Sequence, residues 1–87
     1  MKIKKGFVLR VVGGENFVVT VGEMSKQFHG MISLNETGVF LWNFFSENHT
    51  VEEAVDALCN EYEADRTQVE IDVNRFVDIL KNNNFCE

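Results

Sequence analysis

The spacing of hydrophobic positions changes period once along this chain, close to residue 35. Before that point Phe7-Val8-Leu9-Arg10-Val11-Val12 and Phe17-Val18-Val19-Thr20-Val21 are β-branched and aromatic runs. Gly13-Gly14-Glu15-Asn16 separates them, and such residues tolerate positive φ, so a β-hairpin is expected. The stretch from Gly22 to Gln27 has turn composition. Phe28-His29-Gly30-Met31-Ile32-Ser33-Leu34 then alternates, with Phe28, Ile32 and Leu34 on one face and His29, Met31 and Ser33 on the other. That predicts a third strand, weakened by Gly30.

Past residue 35 the period becomes helical. Asn35 is a good N-cap, and Val39-Phe40-Leu41-Trp42-Asn43-Phe44-Phe45 is apolar on nearly every side. A helix of that kind is contacted all round, so residues 36–45 are expected under the sheet and between two other helices. Phe40, Trp42, Phe44 and Phe45 are read as core rather than as a ligand box. Thr50-Val51-Glu52-Glu53 has the form of a capping box, and Val51, Ala54, Val55, Leu58, Cys59 and Tyr62 follow as an amphipathic stripe. Asp65 to Gln68 repeats the capping logic. A last helix carries Val69, Val73, Phe76, Val77 and Leu80 on one face and stops at Asn82-Asn83-Asn84, with Phe85 turned back onto the body. Three strands followed by three helices read as α+β, not as a parallel βαβ sheet.

Length and composition narrow the picture. At 87 residues, 45% hydrophobic and without proline, the chain is expected to be one globular domain spanning residues 1–87. Charge is segregated: residues 1–45 hold five Lys/Arg against three acids, and residues 46–87 hold three against eleven, within a net charge of −6. The acidic half repels phosphate backbones, so no nucleic-acid partner is expected. Arg10 interrupts the early apolar stretch and no small-residue cleavage site follows it, so the N-terminal segment reads as mature protein. No run approaches the ~18–20 apolar residues that span a bilayer, and no membrane association is expected. Cys59 and Cys86 form no C-x-x-C pair, and a reducing cytoplasm is the expected location.

Catalytic constellations are missing from the sequence. Gly13-Gly14 lacks the lysine of a phosphate loop, and His29 and His49 have no partners at metal-ligand spacing. Cys59 sits on an apolar stripe, and Cys86 is terminal and could be exposed. A non-catalytic protein without cofactor or metal is the expectation. Glu52, Glu53, Asp56, Glu61, Glu63 and Asp65 form an acidic face that is either a solvated surface or a docking patch. On the last helix Ile71, Arg75 and Ile79, at i, i+4 and i+8, make a second stripe beside the core one. It is read either as an apolar groove for a peptide with Arg75 facing an acidic guest residue, or as an incidental surface Ile71 with Ile79 at the margin of a wide core stripe. The free edge of the third strand contains nothing that discourages strand addition, and exposed edges also permit a homodimer.

A hairpin and third strand running into SLNETGVFLWNFF, then TVEEAVDAL, then EYEADRTQVEIDV ending near ILKNNNF, resembles the PqqD-like family from about Phe7 to Phe85. Leu34-Asn35-Glu36-Thr37 with Trp42 carries most of the likeness. The resemblance implies a winged-helix-like fold that acts as a recognition element for ribosomally made, post-translationally modified peptides. It implies a leader segment of the precursor added as a strand beside the third strand, in a cleft closed by the third helix. It also implies delivery to a modifying enzyme, often a radical SAM enzyme. Carried over, the peptide-binding residues are Phe28, His29, Gly30, Met31, Ile32, Ser33, Gln68, Ile71, Asp72, Arg75 and Ile79. The chain departs from the family pattern at Gly30, at Gly38 and at Asn82-Asn83-Asn84-Phe85. Two other readings stay open: a winged-helix DNA-binding regulator, against which Glu70, Asp72 and Asp78 argue, and a structural subunit docking through Glu52, Glu53 and Asp56.

Overall fold

The computed structural model describes residues 1–22 and 32–87. Three strands, β1 (Phe7–Val12), β2 (Glu15–Thr20) and β3 (Ile32–Leu34), precede three helices, α1 (Glu36–Phe44), α2 (Val51–Tyr62) and α3 (Arg66–Asn82). The architecture is the expected α+β one. Both strand pairs are antiparallel and the sheet order is β1-β2-β3. The expected strand residues Phe28, His29, Gly30 and Met31 lie outside the described residues.

The hairpin is tighter than its sequence suggests. Gly13 and Gly14 both have positive φ, +59° and +83°, and Val12 lies opposite Glu15, so the connection is a two-residue turn. With both central residues at positive φ, its twist matches that of the strands, and Glu15 and Asn16 join the ladder instead of the loop. The register pairs Leu9 with Val18 and Val18 with Ile32, which places all three on one face with Phe7 and Leu34. That face meets the helices: Val18 is buried, and Phe7, Leu9, Ile32 and Leu34 pack against the core.

Each helix begins where a side chain satisfies its first free N–H groups. Asn35 Oδ1 accepts from the Gly38 N–H at 2.8 Å. At α2 the capping box is complete: Thr50 Oγ1 accepts from the Glu53 N–H at 3.1 Å and the Thr50 N–H donates to Glu53 Oε1 at 2.8 Å. Asp65 caps α3, accepting from the Gln68 N–H at 3.4 Å. Gln68 does not reach back as a capping box would, because its Nε2 donates to Asp72 Oδ1 at 3.0 Å. The Thr50 N–H holds the Glu53 carboxyl below its ordinary range, an effect that desolvation partly opposes. This favours the ionised form, so the stabilisation is present above the unfolded-state value and is lost as pH falls through the folded-state one. Glu53→Gln is therefore expected to lower the melting temperature at about pH 7 and to match the parent near about pH 3.

The C-terminus of α3 explains its asparagines. Asn84 takes a left-handed φ of +58°, its N–H donates to the Lys81 carbonyl at 3.1 Å, and the Phe85 N–H donates to the Leu80 carbonyl at 2.8 Å. This is the Schellman arrangement with Asn in the glycine place, and the apolar contact that accompanies it is Phe85 on Leu80, both fully buried. Asn84→Val is expected to cost about 1–2 kcal/mol in urea unfolding and Asn84→Gly to be near neutral, since a β-branched residue resists positive φ.

The core gathers Val18, Leu41, Trp42, Phe45, Ala54, Val55, Leu58, Val69, Val73, Phe76, Val77, Leu80 and Phe85. All five apolar positions expected on α3 are buried. The aromatic run of α1 divides instead of sinking whole. Trp42 and Phe45 are buried, whereas Phe40 and Phe44 are half-buried. Phe44 stacks on His49 at 4.0 Å between centroids, and Phe40 meets Tyr62 edge-on at 5.9 Å. Polar-tipped rings, one from the last residue of α2 and one from the loop before it, cover those two phenylalanines. His49 is thus part of that cover, and Cys86 is half-buried, with burial pushing its thiol pKa up.

Candidate functional site

A cleft of about 270 Å³ opens where β3 runs into α1 and faces α3. Ser33 and Leu34 of β3 with Asn35 form one wall; Thr37, Gly38 and Leu41 of α1 form the floor; Asp72, Arg75, Phe76 and Ile79 of α3 form the other wall. Helical geometry accounts for the α3 set. Positions 72, 75, 76 and 79 follow the i, i+3, i+4, i+7 rule and so line one face, directly beside the buried stripe.

Two local choices shape the cleft. The tight Asn35 cap turns the chain from strand to helix without a loop, which brings the first turn of α1 against the end of β3. Gly38 allows that approach: a Cβ there would sit 3.2 Å from Leu34 Cβ and 3.3 Å from Asn35 Oδ1. A side chain at this position would crowd both the cap and the strand end and narrow the floor.

The electrostatics of the α3 wall are lopsided. Asp72 is already engaged by the Gln68 amide. Arg75 is exposed and forms no ion pair among the described residues, unlike Arg66, which contacts Asp56 at 2.7 Å and Glu70 at 3.3 Å. The cleft therefore offers one uncommitted cation beside the apolar Phe76 and Ile79. Among the described residues β2 is the only strand paired with β3, whose other edge carries unpaired backbone groups.

Of the residues expected at a peptide site, Ser33, Asp72, Arg75 and Ile79 line the cleft. Ile32 is half-buried against the core. Gln68 stands one turn before Asp72 on the same helix face, outside the lining. Ile71 is 47% exposed and also lies outside it. The reason is angular: at about 100° per residue, Ile71 and Ile79 differ by about 80°, whereas Asp72 and Ile79 differ by about 20°. An i, i+8 stripe is not a straight line along a helix. Phe28, His29, Gly30 and Met31 lie outside the described residues. Leu34, Asn35, Thr37, Gly38, Leu41 and Phe76 line the cleft and were not expected there; the glycine beside an N-cap was the signal for most of them.

Among the described residues no group of three or more His, Cys, Asp or Glu comes together in a way that could hold a metal ion. No described helix is long and apolar enough to cross a membrane.

Comparison with known proteins follows the same lines. The family described as coenzyme PQQ synthesis protein D (PqqD) matches residues 13–85. A solved structure titled "TbiB1 in Complex with the TbiA(beta) Leader Peptide" is similar over 100% of this chain and 95% of that one, at 30% sequence identity and a TM-score of 0.75. No curated protein matches. The family match takes in both later strands, all three helices and every residue that lines the cleft, and the chain belongs to the PqqD family.

Proposed function

We propose that this protein is a non-catalytic adaptor that captures the leader segment of a ribosomally made precursor peptide and presents it to a modifying enzyme. The leader adds as a strand to the free edge of β3, its main chain taking up the unpaired groups there. Its side chains alternate, so every second one enters the cleft, where Phe76, Leu41 and Ile79 receive an apolar residue and Arg75 receives an acidic one. The observation that carries this reading is the cleft itself: an open strand edge facing a helix wall on which one arginine without an ion pair among the described residues stands beside Phe76 and Ile79. Likeness at 30% identity to a protein whose structure holds a leader peptide supports it. The enzyme served is proposed to be a radical SAM enzyme, as the sequence resemblance implies.

The reading is tested by NMR titration of the isotope-labelled protein with synthetic leader peptides, the TbiA(beta) leader among them. Amide shifts concentrated at Ile32–Leu34 and along α3 from Asp72 to Ile79, with inter-strand contacts to the peptide backbone, are the expected result. Binding that perturbs α2 instead would replace strand addition with docking on the acidic face.

A further inference from the structure

We propose that a second groove, where the N-terminal segment passes the C-terminal end of α1, binds an acidic segment of a protein partner, so that the adaptor holds two chains at once. The groove is lined by Lys2, Ile3, Lys4, Lys5, Phe7, Trp42 and Ser46 and has a volume of about 280 Å³. It shares no residue with the cleft at β3. The two sites are therefore compatible in one molecule.

The groove is fixed in place. The Ile3 N–H donates to the Phe45 carbonyl at 2.8 Å, the Lys4 N–H donates to the Phe85 carbonyl at 2.8 Å, and the Lys2 carbonyl accepts from the Glu87 N–H at 2.8 Å. Ile3 is itself buried. The segment from Lys2 to Lys4 is thus clamped between the end of α1 and the C-terminal residues, and Lys5 follows it in the turn before β1. None of Lys2, Lys4 or Lys5 forms an ion pair among the described residues. In a chain of net charge −6, three unpaired lysines within four positions are a concentrated exception.

The chemistry of the lining selects among anionic partners. Ammonium groups above an apolar floor of Ile3, Phe7 and Trp42 suit an extended peptide in which Asp or Glu alternates with aliphatic residues. The aliphatic side chains reach the floor and the carboxylates meet the rim. A nucleic acid would engage only these few cations before meeting the acidic surfaces of α2 and α3, and phosphate affinity grows with the number of contacts. Lipid headgroups would leave the apolar floor unfilled. That the partner is the modifying enzyme rests on the adaptor reading above; the existence of the site does not.

Trp42 is the only tryptophan and lies in this floor, so its fluorescence reports occupancy. The experiment titrates the protein with an alternating glutamate-leucine hexapeptide and with its glutamine-leucine counterpart, following Trp42 emission and the anisotropy of labelled peptide. Binding of the acidic peptide alone is expected, weakened roughly tenfold or more by Lys2→Glu/Lys4→Glu/Lys5→Glu and partly by the corresponding Gln substitutions, unaffected by Arg75→Glu, and reduced in high salt. Both lysine variants should retain the parent circular-dichroism spectrum. No binding up to about 1 mM peptide, or binding indifferent to the lysines, overturns the proposal. Loss in Arg75→Glu instead would mean the peptide occupies the β3 cleft and would equally overturn it. Tighter lysine-dependent binding of an oligothymidylate, or of vesicles of phosphatidylglycerol and phosphatidylcholine, would overturn the assignment to a protein segment. The lysine variants leave leader titration at the cleft unchanged, so failure here is distinct from failure of the adaptor reading.

Discussion

Trp42→Ala is expected to destabilise the protein by about 3–5 kcal/mol, the cost of emptying a large aromatic site that cannot collapse. Trp42 is 4% exposed and meets Phe7 of β1 edge-on at 6.2 Å between centroids and Phe85 at 6.0 Å. Phe7 and Phe85 also touch, at 4.5 Å, so the three rings join the first strand, the first helix and the residues beyond the last helix. Truncating the middle ring removes burial and two edge-to-face contacts together, and the effect reaches elements distant in sequence. A chain of 87 residues has a total stability of about 4–13 kcal/mol, so the loss takes a large share of it. In thermal unfolding this amounts to a fall of roughly 15–30 °C. Trp42→Phe, which keeps a ring in place, should lose much less. A fall of only a few degrees in Trp42→Ala would mean that α1 does not organise the core.

The sequence made the elements legible because each is specified locally. The capping residues Asn35, Thr50 and Asp65 act within three residues of themselves, and the buried stripe of α3 follows from spacing alone. Where reading failed, the missing information was tertiary or angular. Gly13-Gly14-Glu15-Asn16 has the composition of a four-residue loop, yet a two-glycine turn suffices, and pairing across the strands claims the other two. Phe40 and Phe44 are as apolar as Trp42, but only the packed structure shows that Tyr62 and His49 cover them from the rim. For the cleft, the α3 wall was half visible. Arg75 and Ile79 project beside the core stripe and line the cleft, while Ile71, which the same spacing groups with them, lies about 80° from Ile79 around the helix. The α1 floor was hidden because it depends on how closely the cap draws Gly38 to Leu34, a distance that no periodicity encodes.

Arg75→Glu is expected to weaken leader binding by roughly thirtyfold to a hundredfold, about 2–3 kcal/mol, while leaving the melting temperature within a degree or two. The side chain is exposed and makes no ion pair among the described residues, so the folded protein loses little with it. Binding loses twice: the guest's carboxylate forfeits its partner and then meets a like charge next to Asp72. Arg75→Lys separates geometry from charge, because a lysine keeps the sign but not the planar fork. An intermediate loss indicates a bidentate contact, and an unchanged affinity indicates long-range attraction alone. Two isoleucines complete the test. Ile79 lines the cleft, so Ile79→Asp should match the arginine variant; Ile71 points about 80° away, so Ile71→Asp should bind like the parent. If Ile71→Asp proves the more damaging of the two, the leader contacts the outer face of α3 and the cleft is not its main seat.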